Sequence, residues 1–269
     1  MTLLATELKE GTKVLHAEAG RSKFMLLFFK GEVSPSTYGR FLISLHQIYS
    51  VLERVLEEHK DNPNLSLIYF PDELFRVKNL EEDIEFFNGP DWREMLAVIT
   101  PAQKAYISAI ERCSSSPTPE LLIAHSYVRY LGDLSGGQVL VKRLQKFNDL
   151  PEDKGASFYR FDLIEDAGMF KEMYRKRLNQ VEVSDELQQQ IVEEAKETFL
   201  RNIALFQEFD CEFEGLEMPR RAQEKGSVFE ERAEKRTTKS NDEGPFTSLI
   251  PSSLWNSLAG VMGYTRVEP

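Results

Sequence analysis

Three short stretches of the sequence hold residues whose types and spacing could do chemistry. The first is Lys9-Glu10-Gly11-Thr12-Lys13-Val14-Leu15-His16. On a helix, Lys13 lies roughly one turn and Lys9 roughly two turns before His16. One imidazole with ammonium groups nearby suits an iron porphyrin: a ring nitrogen for the metal, cations for the propionates. A surface or core histidine is the commoner use of such a residue, and spacing alone leaves both open. The second stretch is Gly132-Asp133-Leu134-Ser135-Gly136-Gly137-Gln138, inside a helical pattern that runs from Glu120 through Phe147. Each glycine costs a helix interior about 1 kcal/mol relative to Ala. Three so close together imply a kink or a close backbone approach, either to a flat ligand or to another helix. Asp133 would be an acid in the apolar wall of that kink, and needs partners there, water included. The third stretch runs from Phe170 to Arg177 and places Lys171 and Arg175 on one helical face. Such a pair holds carboxylates or is simply a solvated face.

Other chemistries find little support. The chain has 4 histidines, His16, His46, His59 and His125. None completes Glu-x-x-His or His-Glu-x-x-His, so di-iron carboxylate and metalloprotease sites are not indicated. Gly-x-Ser-x-Gly and P-loop patterns are missing as well. His59 reads as a solvated residue near a helix end, and His46 and His125 as core or boundary histidines. Cys113 and Cys211 are too few and too far apart for a disulfide scaffold or a zinc site. With 33 Lys+Arg against 44 Asp+Glu the net charge is −11, which argues against nucleic acid as a general partner.

The elements that must position these groups read as helices nearly throughout residues 1–216. Ser34 caps a helix with Pro35 at its first position, and Phe41, Leu45, Ile48, Leu52, Val55 and Leu56 keep one face apolar through Lys60. Pro71-Asp72 opens another, which Gly89-Pro90 stops; Thr100-Pro101 and Thr118-Pro119 start two more. Ser184-Asp185-Glu186 starts a long last helix with Ile191, Ala195, Phe199, Ile203 and Phe206 inward. Leu65–Phe70 is too short to decide. The expectation is an all-α domain of about seven or eight helices.

Residues 217–243 carry equal numbers of acids and bases and few large apolar groups, the composition of a flexible linker. Residues 244–269 form an uncharged tail at first, broken by Pro245 and Pro251 and thus no membrane span. Within it Leu254, Trp255, Leu258, Val261 and Met262 fit a short amphipathic helix, so that 252–264 could lie on a membrane surface or dock on a partner. Met1–Lys9 has no secretory signal pattern, and a reducing, intracellular compartment is expected.

Ala124-His125-Ser126-Tyr127-Val128-Arg129-Tyr130-Leu131-Gly132-Asp133-Leu134-Ser135-Gly136-Gly137-Gln138 resembles the signature of the heme oxygenase family. Leu8-Lys9-Glu10 leading to His16, Tyr69-Phe70-Pro71, and 170–179 support the resemblance, which spans about residues 3–213. It is closer to the inducible animal members, since neither cysteine is followed by Pro. The resemblance implies one helical domain with heme b sandwiched between the first helix and the glycine-kinked helix. It implies oxidative cleavage of heme at the α-meso carbon to biliverdin, carbon monoxide and ferrous iron. O2 is consumed, and electrons come from NADPH through cytochrome P450 reductase; biliverdin reductase is a further partner. A heme-binding or heme-sensing protein without turnover is the alternative.

By that resemblance His16 is the proximal iron ligand and Asp133 the distal acid. Gly132 and Gly136 lie against the porphyrin. Lys9, Tyr127, Lys171 and Arg175 surround the propionates, with Lys13 nearby. Lys142, Arg143, Lys146, Lys176 and Arg177 form basic patches that could meet an acidic reductase. Two features depart from the family. Position 20 is Gly where members usually carry Glu four residues after the proximal histidine. The tail replaces the transmembrane anchor of microsomal members, so a location on the cytosolic face of the endoplasmic reticulum rests on surface attachment alone.

Overall fold

The computed structural model describes residues 2–148, 150–151 and 154–214. The linker and tail expected at 217–243 and 244–269 lie outside the described residues. Met1–Leu216 forms one compact unit. Its helices are α1 (Leu4–Ala19), α2 (Lys23–Lys30), α3 (Pro35–Glu58), α4 (Pro71–Leu74), α5 (Val77–Asn88), α6 (Pro101–Ser114), α7 (Leu122–Gly132), α8 (Gln138–Asn148), α9 (Ala167–Leu178) and α10 (Asp185–Glu214). No strand occurs among the described residues.

Local chemistry explains most of the boundaries. Ser34 Oγ accepts from the Thr37 amide at 3.1 Å and Pro35 follows it, opening α3 as expected. Thr100 and Gln103 form a reciprocal capping box at the start of α6. Gly31, at φ 76°, closes α2 in the left-handed conformation that favours glycine. Ser184 Oγ accepts from the Leu187 amide at 3.2 Å and starts α10.

The segment that begins at Pro71 is not one helix. It breaks after Leu74 and restarts at Val77. The cause is Glu53 on α3, whose buried carboxylate accepts the backbone N–H groups of Arg76 and Val77. A neighbouring helix thus supplies the cap that the local sequence lacks. Thr118-Pro119 likewise opens a 3-10 turn, Pro119–Leu121, before α7 begins. Leu65–Ile68 is also a 3-10 turn.

The expected face of α3 is the core: Phe41, Leu45, Ile48, Leu52, Val55 and Leu56 are all buried. On α10, Ile191, Ala195 and Ile203 are buried, but Phe199 and Phe206 are only half-buried. The α1 helix lies close on α10 because residue 11 has no side chain; a Cβ there would come within 2.7 Å of Val192 Cγ1.

Between α7 and α8 the chain does not stop. Asp133–Gly137 is a π-helical turn that joins them into one kinked rod. Taken as one rod, α7–α8 brings the helices of eight residues or more to eight among the described residues.

Candidate functional site

The α9 helix packs against both α1 and the π-helical turn, and so bridges the element that carries His16 and the one that carries Asp133. It carries two cations, Lys171 and Arg175, one turn apart. Lys171 is buried and its Nζ donates to Ser135 Oγ, inside the π turn, at 3.2 Å. Burial and the neighbouring Arg175 charge push the Lys171 ammonium below its usual pKa. Arg175 is half-buried one turn on. Tyr127 is half-buried on α7, with its field felt by the buried Tyr174 of α9.

On α1, His16 is half-buried and meets Phe199 of α10 edge-on, ring centroids 5.8 Å apart. Burial lowers the His16 pKa, which favours the neutral imidazole with a lone pair to offer. Lys9 is half-buried and Lys13 exposed, with Lys13 Nζ 4.0 Å from Glu10.

The glycines of the π turn do different jobs. A Cβ on Gly137 would press to 2.7 Å from the Tyr159 ring, so this glycine serves packing within the protein. A Cβ on Gly132 would meet nothing within 4 Å, although Leu131 and Asp133 on either side are buried. Gly132 therefore bares backbone to open space, and Gly136 is buried in the same turn. Gly132 sits at φ −62°, ψ −49°, ordinary helix, so only the missing side chain matters at this position.

Asp133 is buried, and burial pushes its carboxyl up to about 6 against the pull of Arg129, Tyr49 and Arg76. The Tyr49 hydroxyl of α3 donates to Asp133 Oδ2. Arg129 Nε in turn donates to the Tyr49 oxygen at 3.1 Å, and Arg129 Nη1 to Asn202 Oδ1 of α10 at 2.7 Å. Burial works against the Arg129 guanidinium, but the fields of Tyr49, Tyr106 and Asp133 outweigh it and hold it charged. The direction of each bond is thus fixed, from guanidinium to phenol to carboxylate. Tyr49, Arg129 and Asn202 are not among the residues that spacing singled out. Their only sequence signal is polarity on otherwise buried helical faces.

A helical frame that carries an imidazole on one rod and a hydrogen-bonded carboxylic acid on a kinked second rod, with α9 packed on both, makes this an all-α protein with a buried acid, an imidazole and a buried ammonium available for chemistry. A sequence profile of the heme oxygenase family matches residues 2–208. Human heme oxygenase 1 is 44% identical over 206 residues, 76% of this chain and 71% of the relative. The solved heme oxygenase of Leptospira interrogans superposes with a TM-score of 0.73 at 43% identity, covering 77% of this chain and 100% of the other. Heme oxygenase-1 of Synechocystis, solved in complex with heme, gives 0.75 at 35% identity over 88% of this chain and 100% of the other. This chain belongs to the heme oxygenase family, and it is a heme oxygenase by activity as well as by fold.

Proposed function

We propose that heme b enters between α1 and the kinked α7–α8 rod, and that the products are biliverdin, carbon monoxide and ferrous iron. The carrying observation is Asp133, a buried acid poised near 6 and held by Tyr49, next to the bare backbone of Gly132. Heme supplies the iron at which O2 is reduced and the α-meso carbon that is oxidised. His16 offers its neutral ring nitrogen to that iron. Asp133, mostly ionised at neutrality but within about one unit of its pKa, takes and returns a proton through ordered water, while its bond to Tyr49 holds the carboxyl in one orientation. Gly132 and Gly136 let the rod approach the porphyrin face.

Lys9, Tyr127, Lys171 and Arg175, with Lys13 at the rim, hold the propionates. They fix the rotation of heme in its plane, and with it which meso edge meets the oxidant. The desolvated Lys171 is the strongest of these contacts, because a buried ammonium gains most from a carboxylate partner. Electrons arrive from NADPH through cytochrome P450 reductase, which fits the lack of a nucleotide motif in this sequence. Lys142, Lys146, Lys176 and Arg177 are exposed and Arg143 is half-buried, a basic surface for an acidic reductase. Biliverdin reductase would take up the product.

No helix among the described residues is long and apolar enough to cross a membrane. Peripheral contact through 252–264 on the endoplasmic reticulum remains part of this proposal.

Heme titration followed by turnover with reductase and NADPH tests the whole reading. Loss of the Soret band with growth of a biliverdin band is expected. A stable ferrous or oxygenated spectrum would instead make the chain a heme carrier. Asp133→Ala should bind heme but lose biliverdin and gain peroxidase-like oxidation of added phenols. His16→Ala should lose the wild-type heme spectrum and turnover unless imidazole is added.

A further inference from the structure

Away from the proposed heme slot, three side chains from three helices converge in the interior. Cys113 of α6 and His125 of α7 are buried, and Glu194 of α10 keeps only 12% of its side chain exposed. Their ligand atoms all lie within 4.8 Å of one another. Cys113 Sγ stands 3.7 Å from His125 Nε2, and Nε2 stands 3.1 Å from Glu194 Oε1.

The hydrogen bonding around the ring shows what this cluster lacks. The Thr198 hydroxyl donates its only hydrogen to the Glu194 backbone carbonyl at 2.8 Å. Toward His125 Nδ1, at 3.3 Å, it can therefore only accept, so Nδ1 carries the ring's N–H. That leaves Nε2 with a lone pair aimed at a carboxylate oxygen and a sulfur. Burial pushes the Cys113 thiol up to about 12, so without an ion the sulfur keeps its hydrogen; a cation that displaces it would face three electron-pair donors, the thiolate, Nε2 and Oε1.

We propose that Cys113, His125 and Glu194 form a binding site for a divalent cation of the zinc class, with solvent as fourth ligand. A tetrahedron with Zn–S of about 2.3 Å and Zn–N and Zn–O of about 2.0–2.1 Å has an S–N edge of about 3.6 Å and an N–O edge of about 3.4 Å. The observed 3.7 and 3.1 Å match these edges to within about 0.3 Å. Thiolate, imidazole and carboxylate together select zinc or its congeners over magnesium or calcium. Thr198 supplies the outer hydrogen bond that fixes the tautomer a metal-binding histidine needs. Arg201 Nη1, 3.3 Å from Oε1, and Arg112 Nη2, 3.8 Å from Oε2, hold the carboxylate in place.

Glu194 is the solvent-facing member of the cluster. Glu194 also lines an open cavity of about 490 Å³ whose wall includes Glu186, Glu193, Glu197 and Gln190. These acids would concentrate cations at its mouth. The same cavity contains neither His16 nor Asp133, so it does not belong to the proposed heme slot. A bound ion would pin α6, α7 and α10 together, and those helices carry Tyr106, Arg129 and Asn202, the residues around the Tyr49–Asp133 pair.

The test uses the full chain, heme-free, untagged and stripped with chelator, with Co2+ as probe. One equivalent should raise a near-ultraviolet thiolate-to-cobalt charge-transfer band and visible bands of tetrahedral intensity, both bleached by Zn2+. Cys113→Ser should abolish the charge-transfer band and weaken Zn2+ at least tenfold. Glu194→Gln should weaken Zn2+ about tenfold while keeping the band at saturating Co2+. Cys211→Ser should change neither. The proposal falls if wild-type protein shows no charge-transfer band, as when a proton alone sits between ring and carboxylate. It falls equally if the band survives Cys113→Ser or vanishes with Cys211→Ser.

Discussion

The Tyr49 hydroxyl and the Asp133 carboxylate, 84 residues apart in sequence, are joined by a hydrogen bond in which the phenol donates. This bond stabilises the ionised acid. Together with Arg129 and Arg76 it keeps Asp133 near 6 rather than higher, where burial alone would drive it. Tyr49→Phe removes that donor, so the Asp133 pKa must rise. The pH–rate profile of heme turnover should shift toward alkaline pH by on the order of one unit. Heme affinity should change little. A profile that stays in place would show that Asp133 does not set it.

Gly132 and Gly137 should respond in opposite ways to the same change. Gly132→Ala places its Cβ in open space, and apo stability should rise by up to about 1 kcal/mol from helix propensity. On the proposed placement of heme, its affinity should nonetheless fall, because the new methyl would stand between the rod and the porphyrin face; unchanged affinity would remove Gly132 from the slot. Gly137→Ala drives a methyl against the Tyr159 ring and should cost about 1–3 kcal/mol. Thermal melts with and without heme separate the two outcomes.

How much of this was legible beforehand follows from where each signal lives. Ser34-Pro35 and Thr100-Pro101 are local chemistry, and α3 and α6 begin where they predict. The break at Phe75-Arg76 was not legible, because its cause is a carboxylate from α3. Glycine spacing marked the kinked rod, yet only coordinates separate Gly137, which packs on Tyr159, from Gly132, which faces open space. Asp133 stood out as an acid among glycines; Tyr49 and Arg129 did not, since a tyrosine or arginine on a helix face is ordinary. Cys113 and Glu194 lie 81 residues apart in sequence, so no spacing rule could join them to His125. The site roles of Lys9, Lys13, Tyr127 and Arg175 came from resemblance to the family, and mutants must decide them.

Glu53 sets a pH dependence that is independent of heme. Burial raises its carboxyl to about 7, against the backbone N–H bonds from Arg76 and Val77 and the Arg76 charge. An acid raised in the folded state favours the protonated form there. Below the unfolded value of about 4.5 it has no effect. Stability then declines as pH rises toward 7, and the full penalty, on the order of 3 kcal/mol, is present above it. Glu53→Gln stays neutral and keeps an oxygen for the two amides. Its melting temperature relative to wild type should climb from pH 5 to pH 8. A difference that is flat with pH would reject a raised Glu53.

Gly20 offers a gain-of-contact experiment on the imidazole. It ends α1 in a right-handed conformation that any residue adopts, and a Cβ there would meet nothing closer than the Ala17 and His16 carbonyl oxygens at 3.8 Å. Gly20→Glu should therefore fold, at a cost of about 0.5 kcal/mol for a negative charge at a helix C-terminus. Four residues on from His16, the new carboxylate lies on the same face, one turn along. A carboxylate bonded to the second ring nitrogen raises the basicity of a metal-bound histidine. The heme complex should then show a lower ferric–ferrous reduction potential and a stiffer iron–histidine vibration than wild type. If both stay unchanged while the variant binds heme normally, either His16 is not the iron ligand or its second nitrogen faces away from position 20. His16→Ala distinguishes these, because only in the second case does it abolish the wild-type heme spectrum.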